Sequence, residues 1–96
     1  MIIDKDYIFQ GGEMVKYIQL YEYLKSIPPN QSTVPLSFSE IEKMIGSELP
    51  PSAKKYRPWW ANEINGTHSQ RLAWMNADWL VNNVNLFSGI VIFKRK

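Results

Sequence analysis

No cysteine occurs anywhere in the 96 residues, which removes disulfides, thiol nucleophiles and thiolate zinc sites together. There is one histidine, His68, and its sequence neighbourhood adds only Glu63 and Asp78 as further ligands, too few for a metal site. No apolar run approaches the roughly 18–20 residues that span a bilayer. Residues 1–13 carry three acids and lack the apolar core of a secretory signal. A glycine-rich phosphate cradle, a paired-carboxylate motif and a dinucleotide fingerprint are also missing. His68 adjoins Ser69, but adjacency in sequence is not triad geometry, and a capping or hydrogen-bonded structural role suits this histidine better. The expectation is a cytoplasmic, non-catalytic protein with no metal, cofactor or membrane association.

What is present is enough for one modest core. The apolar fraction is 45%, the composition of a globular chain, and the length allows a single domain. The net charge of +2 conceals a division. Residues 1–50 hold four lysines against seven acids, a net of −3, whereas residues 51–96 hold seven cations against two acids, a net of +5. Such asymmetry points to one electropositive face and an anionic partner.

The first residues differ from the rest. Gln10-Gly11-Gly12-Glu13-Met14 reads back into GGN-GGN-GAR-ATG, a purine-rich ribosome-binding sequence ahead of a start codon. Residues 1–13 are therefore expected to be a translated leader or disordered arm, and residues 14–96 a single globular domain. The alternative is a native arm that docks Tyr7, Ile8 and Phe9; deleting residues 1–13 would then cost much of the melting temperature.

From Met14 the spacing of Tyr17, Leu20, Tyr21, Leu24 and Ile27 predicts one apolar helix face, stopped by Pro28-Pro29-Asn30. Thr33 to Leu36 predicts a short edge strand, since Pro35 cannot donate to a central ladder. Ser37 and Glu40 form a capping box, Leu36 staples on Ile41, and Gly46 supplies the left-handed stop. A third helix is expected with Ser52 as its cap, kinked or restarted at Pro58. Asn65-Gly66 predicts a turn, and Thr67 with Gln70 a capping box for a fourth helix through Leu72, Ala73, Trp74, Met75 and Ala77. Trp79 to Phe87 and Ile90 to Arg95 predict a hairpin joined at Ser88-Gly89. The order helix, strand, helix, helical segments, hairpin predicts an α+β, winged-helix-like fold.

The densest run of chemistry is Lys54 to Asn62, with three cations and three large aromatics in nine residues. Cations attract phosphate, and flat rings offer surfaces on which bases rest. Lys54, Lys55 and Arg57 are candidate phosphate contacts, with Arg57 also able to fork onto a base, or else to pair with Glu63. Adjacent helical residues point about 100° apart, so one of Trp59 and Trp60 is expected in the core and the other exposed to a ligand. Trp74 and Trp79 are expected in the core. Asn62 either reads an adenine edge or caps its helix, the cap being favoured. Arg71 sits against the helix dipole near the start of its helix, which favours a ligand or a salt bridge. Ser69 and Gln70 stand where free N–H groups accept phosphate. Lys94, Arg95 and Lys96 either follow a nucleic-acid backbone or shield an edge strand.

Together, Tyr17 with Leu20-Tyr21-Glu22-Tyr23-Leu24, Leu36 to Glu42, Leu49-Pro50 with Ser52-Ala53, Tyr56-Arg57 with Trp59-Trp60 and Asn62, His68-Ser69-Gln70 with Trp74, Trp79 with Val81, Val84 with Leu86, and Val91 with Phe93 and Arg95 form a pattern. It resembles a family of small domains of uncharacterised function in bacteria and their phages, over nearly all of residues 14–96. Pro58 and Asp78 depart from it, where the resemblance implies a helix-compatible residue and a glycine. The resemblance implies no activity. The residues themselves point to a DNA-binding, non-catalytic domain that prefers duplex DNA. The alternative is a protein-protein interaction module, such as an adaptor or a phage-encoded inhibitor of a host enzyme.

Overall fold

The computed structural model describes residues 16–63 and 70–96. The expectations for residues 1–13, the Asn65-Gly66 turn, Thr67, His68 and Ser69 lie outside the described residues. Within them the fold is α+β: four α-helices, one 3-10 turn and a three-stranded antiparallel sheet.

Helix α1 (Ile18–Lys25) buries Leu20, Tyr21 and Leu24, and Tyr17 just before it is buried too. The chain leaves α1 at Ser26, whose hydroxyl donates to the Tyr23 carbonyl at 2.6 Å. Strand β1 (Thr33–Ser37) buries Val34 and Leu36 alternately, and it lies at one edge of the sheet, where Pro35 is tolerated. Helix α2 (Phe38–Ile45) carries the complete capping box. Ser37 Oγ accepts from Glu40 N at 3.0 Å and Glu40 Oε1 accepts from Ser37 N at 2.8 Å. Gly46 ends the helix at φ 73°, in the left-handed region where a side chain is disfavoured.

Helix α3 (Pro51–Lys55) departs from expectation at its start. Its N-cap is Pro50, with no side-chain cap bond, and Pro51 takes the first position. Ser52 is therefore inside the helix and does not cap it; proline's fixed φ and missing donor already suit that end. Pro58 then lies within a separate 3-10 turn, η1 (Arg57–Trp60), near its beginning. Tyr56, at ψ 100°, breaks the helical path between the two.

Helix α4 (Arg71–Met75) is N-capped by Gln70 with no side-chain cap bond. The Gln70 amide donates a buried bond to the Trp59 carbonyl at 2.9 Å. Strand β2 (Trp79–Asn85) ends two residues before the expected Phe87, and β3 (Ile90–Arg95) follows after Leu86-Phe87-Ser88-Gly89. Asp78, where the resemblance implies glycine, has φ 71°. It joins α4 to β2 in a conformation that glycine adopts without cost.

The sheet order is β1-β3-β2, so β3 is central. Between β2 and β3 the register passes from Val81↔Phe93 to Asn83↔Ile92, leaving Asn82 as the extra residue of a bulge. Helices and sheet meet over an aromatic spine. Phe38 stacks on Trp60 (centroids 5.5 Å apart, planes 7°), Trp60 on Trp74 (5.8 Å, 24°), and Trp74 leans on Phe93 at 5.9 Å. Trp59 meets Trp60 edge-on at 4.7 Å, and Tyr17 meets Trp59 at 6.1 Å. Each buried ring removes about 150–250 Å² from water, so these contacts dominate the core.

Candidate binding groove

Both tryptophans of the central run are buried. Trp59 is 9% exposed and Trp60 2%, which corrects the expectation that one of them faces solvent. The reason is that the core covers more than one side of the turn: Trp59 packs against Tyr17, while Trp60 stacks between Phe38 and Trp74, and the two indoles meet at 72°. The Trp60 indole N–H donates to the Ala53 carbonyl at 2.8 Å. Trp74 and Trp79 are in the core as expected, with Trp79 donating to Leu24 O at 3.0 Å.

The cations are drawn into the fold as well. Lys54 Nζ pairs with Glu42 Oε2 at 3.0 Å, and Glu42 Oε2 also accepts from the Leu49 backbone N–H at 2.8 Å. That backbone bond first, and then Lys54, holds the Glu42 carboxyl below its ordinary pKa. Arg57 donates to the Val84 carbonyl and not to Glu63. Arg71 donates through Nε to the Glu63 carbonyl, so this guanidinium ties two neighbouring segments together. Arg95 stacks over the Trp79 ring at 4.3 Å and reaches the carbonyls of Pro28 and Gln31, both from Nη2, at 2.8 and 2.9 Å. Lys55, Lys94 and Lys96 are exposed. The nine candidate residues therefore do not all present free groups to solvent. Six of them, Lys54, Arg57, Trp59, Trp60, Arg71 and Arg95, serve the fold directly.

Asn62 neither caps a helix nor stands free to read a base. Its Nδ2 donates to the Val81 carbonyl at 2.9 Å, and its Oδ1 accepts from both Val81 N and Trp74 Nε1 at 2.9 Å. One side chain thus occupies the outer edge of β2, the position a fourth strand would take.

With Asn62 on Val81 and Arg57 on Val84, the segment 57–62 stands off the β2 edge at two points, and an open groove of about 440 Å³ lies between. Its lining is Arg57, Pro58, Trp60, Ala61, Asn62 and Val81 to Val84. The volume is in the range of small-ligand sites. The lining contains no acid. Asn82 and Asn83 are exposed, and neither side chain bonds any described residue. At the far end of the same hairpin Phe87 is wholly exposed and Ile90 is 39% exposed. Sequence reasoning found Arg57, Trp60 and Asn62 but missed Val81 to Val84. The available signal was the Asn82-Asn83 pair inside a β-run, since asparagine is depleted in regular strands and marks an irregularity.

Among the described residues no three His, Cys, Asp or Glu side chains cluster to hold a metal. Among them, too, no helix is long and apolar enough to cross a membrane.

The fold and groove define a small α+β domain with a groove lined by amides, one guanidinium and apolar side chains. The chain belongs to the family of the domain of unknown function DUF7662, whose model matches residues 17–96. No curated protein matches the sequence and no solved structure matches the fold.

Proposed function

We propose that the domain is a non-catalytic protein-interaction module that receives its partner in the groove between η1 and the β2 edge. The observation that carries this is the pairing of an apolar floor with unbonded amides. Pro58, Ala61 and Val81 form the floor, with Trp60 and Val84 buried beneath it, and Asn82 and Asn83 offer donors and acceptors at the rim. Buried apolar centres ringed by polar groups are the anatomy of protein interfaces.

The duplex-DNA reading is the second one, and exposed Lys55, Lys94 and Lys96 favour it. Its winged-helix form rests on the element order and on β1 pairing with β3. Two features weigh against it. Helix α3 has five residues, roughly 7.5 Å of helix, too short to read a major groove. The rings meant to stack or wedge are buried.

A displayed library of random ten-residue peptides, selected on the parent and counter-selected on Asn83→Arg, separates these readings. The interaction reading expects peptides that bind the parent and are lost on the variant. It is overturned if no peptide is enriched while duplex DNA binds with log affinity falling against log salt at a slope near −3, about −0.9 per neutralised phosphate.

A further inference from the structure

We infer that the groove takes an extended peptide segment that seats one apolar side chain against Pro58, Ala61 and Val81 and places a carboxylate beside Arg57. This deepens the protein-interaction reading and rests on it. Three observations carry it.

The groove follows a strand edge. From Val81 to Val84 the edge runs roughly 10 Å, the length of three extended residues. Its two ends are fixed by side chains already bonded to β2 backbone, Asn62 at Val81 and Arg57 at Val84. A ligand lying between them meets a linear slot.

The rim chemistry suits a peptide backbone. A primary amide offers a donor and an acceptor side by side, matching the N–H and C=O of one extended residue. Asn62 makes that double pairing on Val81 within this molecule. Asn82 and Asn83 carry the same group at the groove and are unbonded.

The charge is one-sided. A guanidinium has five N–H donors; the Val84 carbonyl takes a bond from Nη1 of Arg57. Arg57 is exposed, and the lining contributes no carboxylate to neutralise it. A carboxylate on the ligand is the complementary group, and it fits the guanidinium fork.

The experiment measures fluorescence anisotropy of labelled nine-residue peptides against the whole chain. Each peptide has a central Leu, with Ala and Ser elsewhere, and a single Glu, Gln or Lys scanned through the flanks. At least one Glu position is expected to bind about tenfold tighter than its Gln counterpart, the ratio worth one charge-assisted bond. Arg57→Gln removes the charge while leaving a polar side chain at the position and is expected to bring that ratio near one. Asn83→Asp, at a side chain with no partner in the chain, is expected to weaken Glu peptides more than Gln peptides. Asn83→Arg is expected to abolish binding of every peptide. Equal binding of Glu and Gln peptides, still lost in Asn83→Arg, overturns the acidic-peptide assignment and leaves the interaction reading standing. No peptide binding to the parent overturns the assignment, and a DNA duplex bound in the same samples overturns the interaction reading with it.

Discussion

Asn62 holds Val81 as a neighbouring strand would, through both its N–H and its C=O, while the same Oδ1 takes the Trp74 indole N–H. An exposed residue thus satisfies three polar groups of the sheet edge and core. Asn62→Ala strips all three at once, and its expected cost is about 2–4 kcal/mol, from roughly 1–3 kcal/mol for each unsatisfied group with partial rescue by water. Urea unfolding followed by tryptophan fluorescence reads it. Asn62→Asp is expected to fall between, since it keeps the acceptor but sets an oxygen against the Val81 carbonyl.

Arg95 is expected to behave as a structural residue. It covers Trp79 and clamps the Pro28 and Gln31 carbonyls, joining the end of β3 to the loop after α1. Arg95→Ala is expected to cost about 1.5–3 kcal/mol, the range for hydrogen bonds from charged groups. Arg95→Lys is expected to recover little of that, because an ammonium lacks the planar fork and stacks poorly. Chemical denaturation of the two variants beside the parent checks both.

Asp78 is the reverse case, a residue whose replacement stabilises. At φ 71° it occupies the left-handed region, where even aspartate is less at ease than glycine. Asp78→Gly is expected to raise stability by about 0.5–1 kcal/mol, net of the greater entropy of an unfolded glycine. A higher melting temperature with an unchanged denaturant slope is the signature.

Glu42 sets a pH dependence. The Leu49 N–H and Lys54 lower its pKa in the folded state below the ordinary 4.5. A depressed carboxylate stabilises the fold fully above the unfolded value and loses that contribution as pH falls through the folded one. The expected window therefore lies below about pH 4.5. Melting curves of the parent and Glu42→Gln at stepped pH are expected to converge there and to differ most near neutrality.

Much of the fold was legible because local rules acted alone. Ser37 and Glu40 capped α2, Gly46 ended it and Pro35 sat on an edge strand, each from chemistry within a few residues. The candidate site was less legible, because its residues answer to partners far along the chain. Arg57 meets Val84, 27 residues away, and Arg95 meets Pro28, 67 residues away. A cation-rich, ring-rich run looks like a surface until the 3-10 turn folds Trp59 and Trp60 inward. The Asn82 bulge and the Asn62 clamp create the groove together, and neither spacing nor composition announces a pairing between them.

The most direct measurement is a nuclear magnetic resonance titration of isotope-labelled protein, followed at the side-chain amides of Asn62, Asn82 and Asn83. Added peptide carrying Leu and Glu is expected to shift Asn82 and Asn83, with smaller changes at Asn62, whose amide is already bonded. A DNA duplex is expected to leave all three in place. Shifts confined to Lys55, Lys94 and Lys96 on adding DNA, with the asparagine amides unmoved by any peptide, would contradict the assignment of the groove as the binding surface.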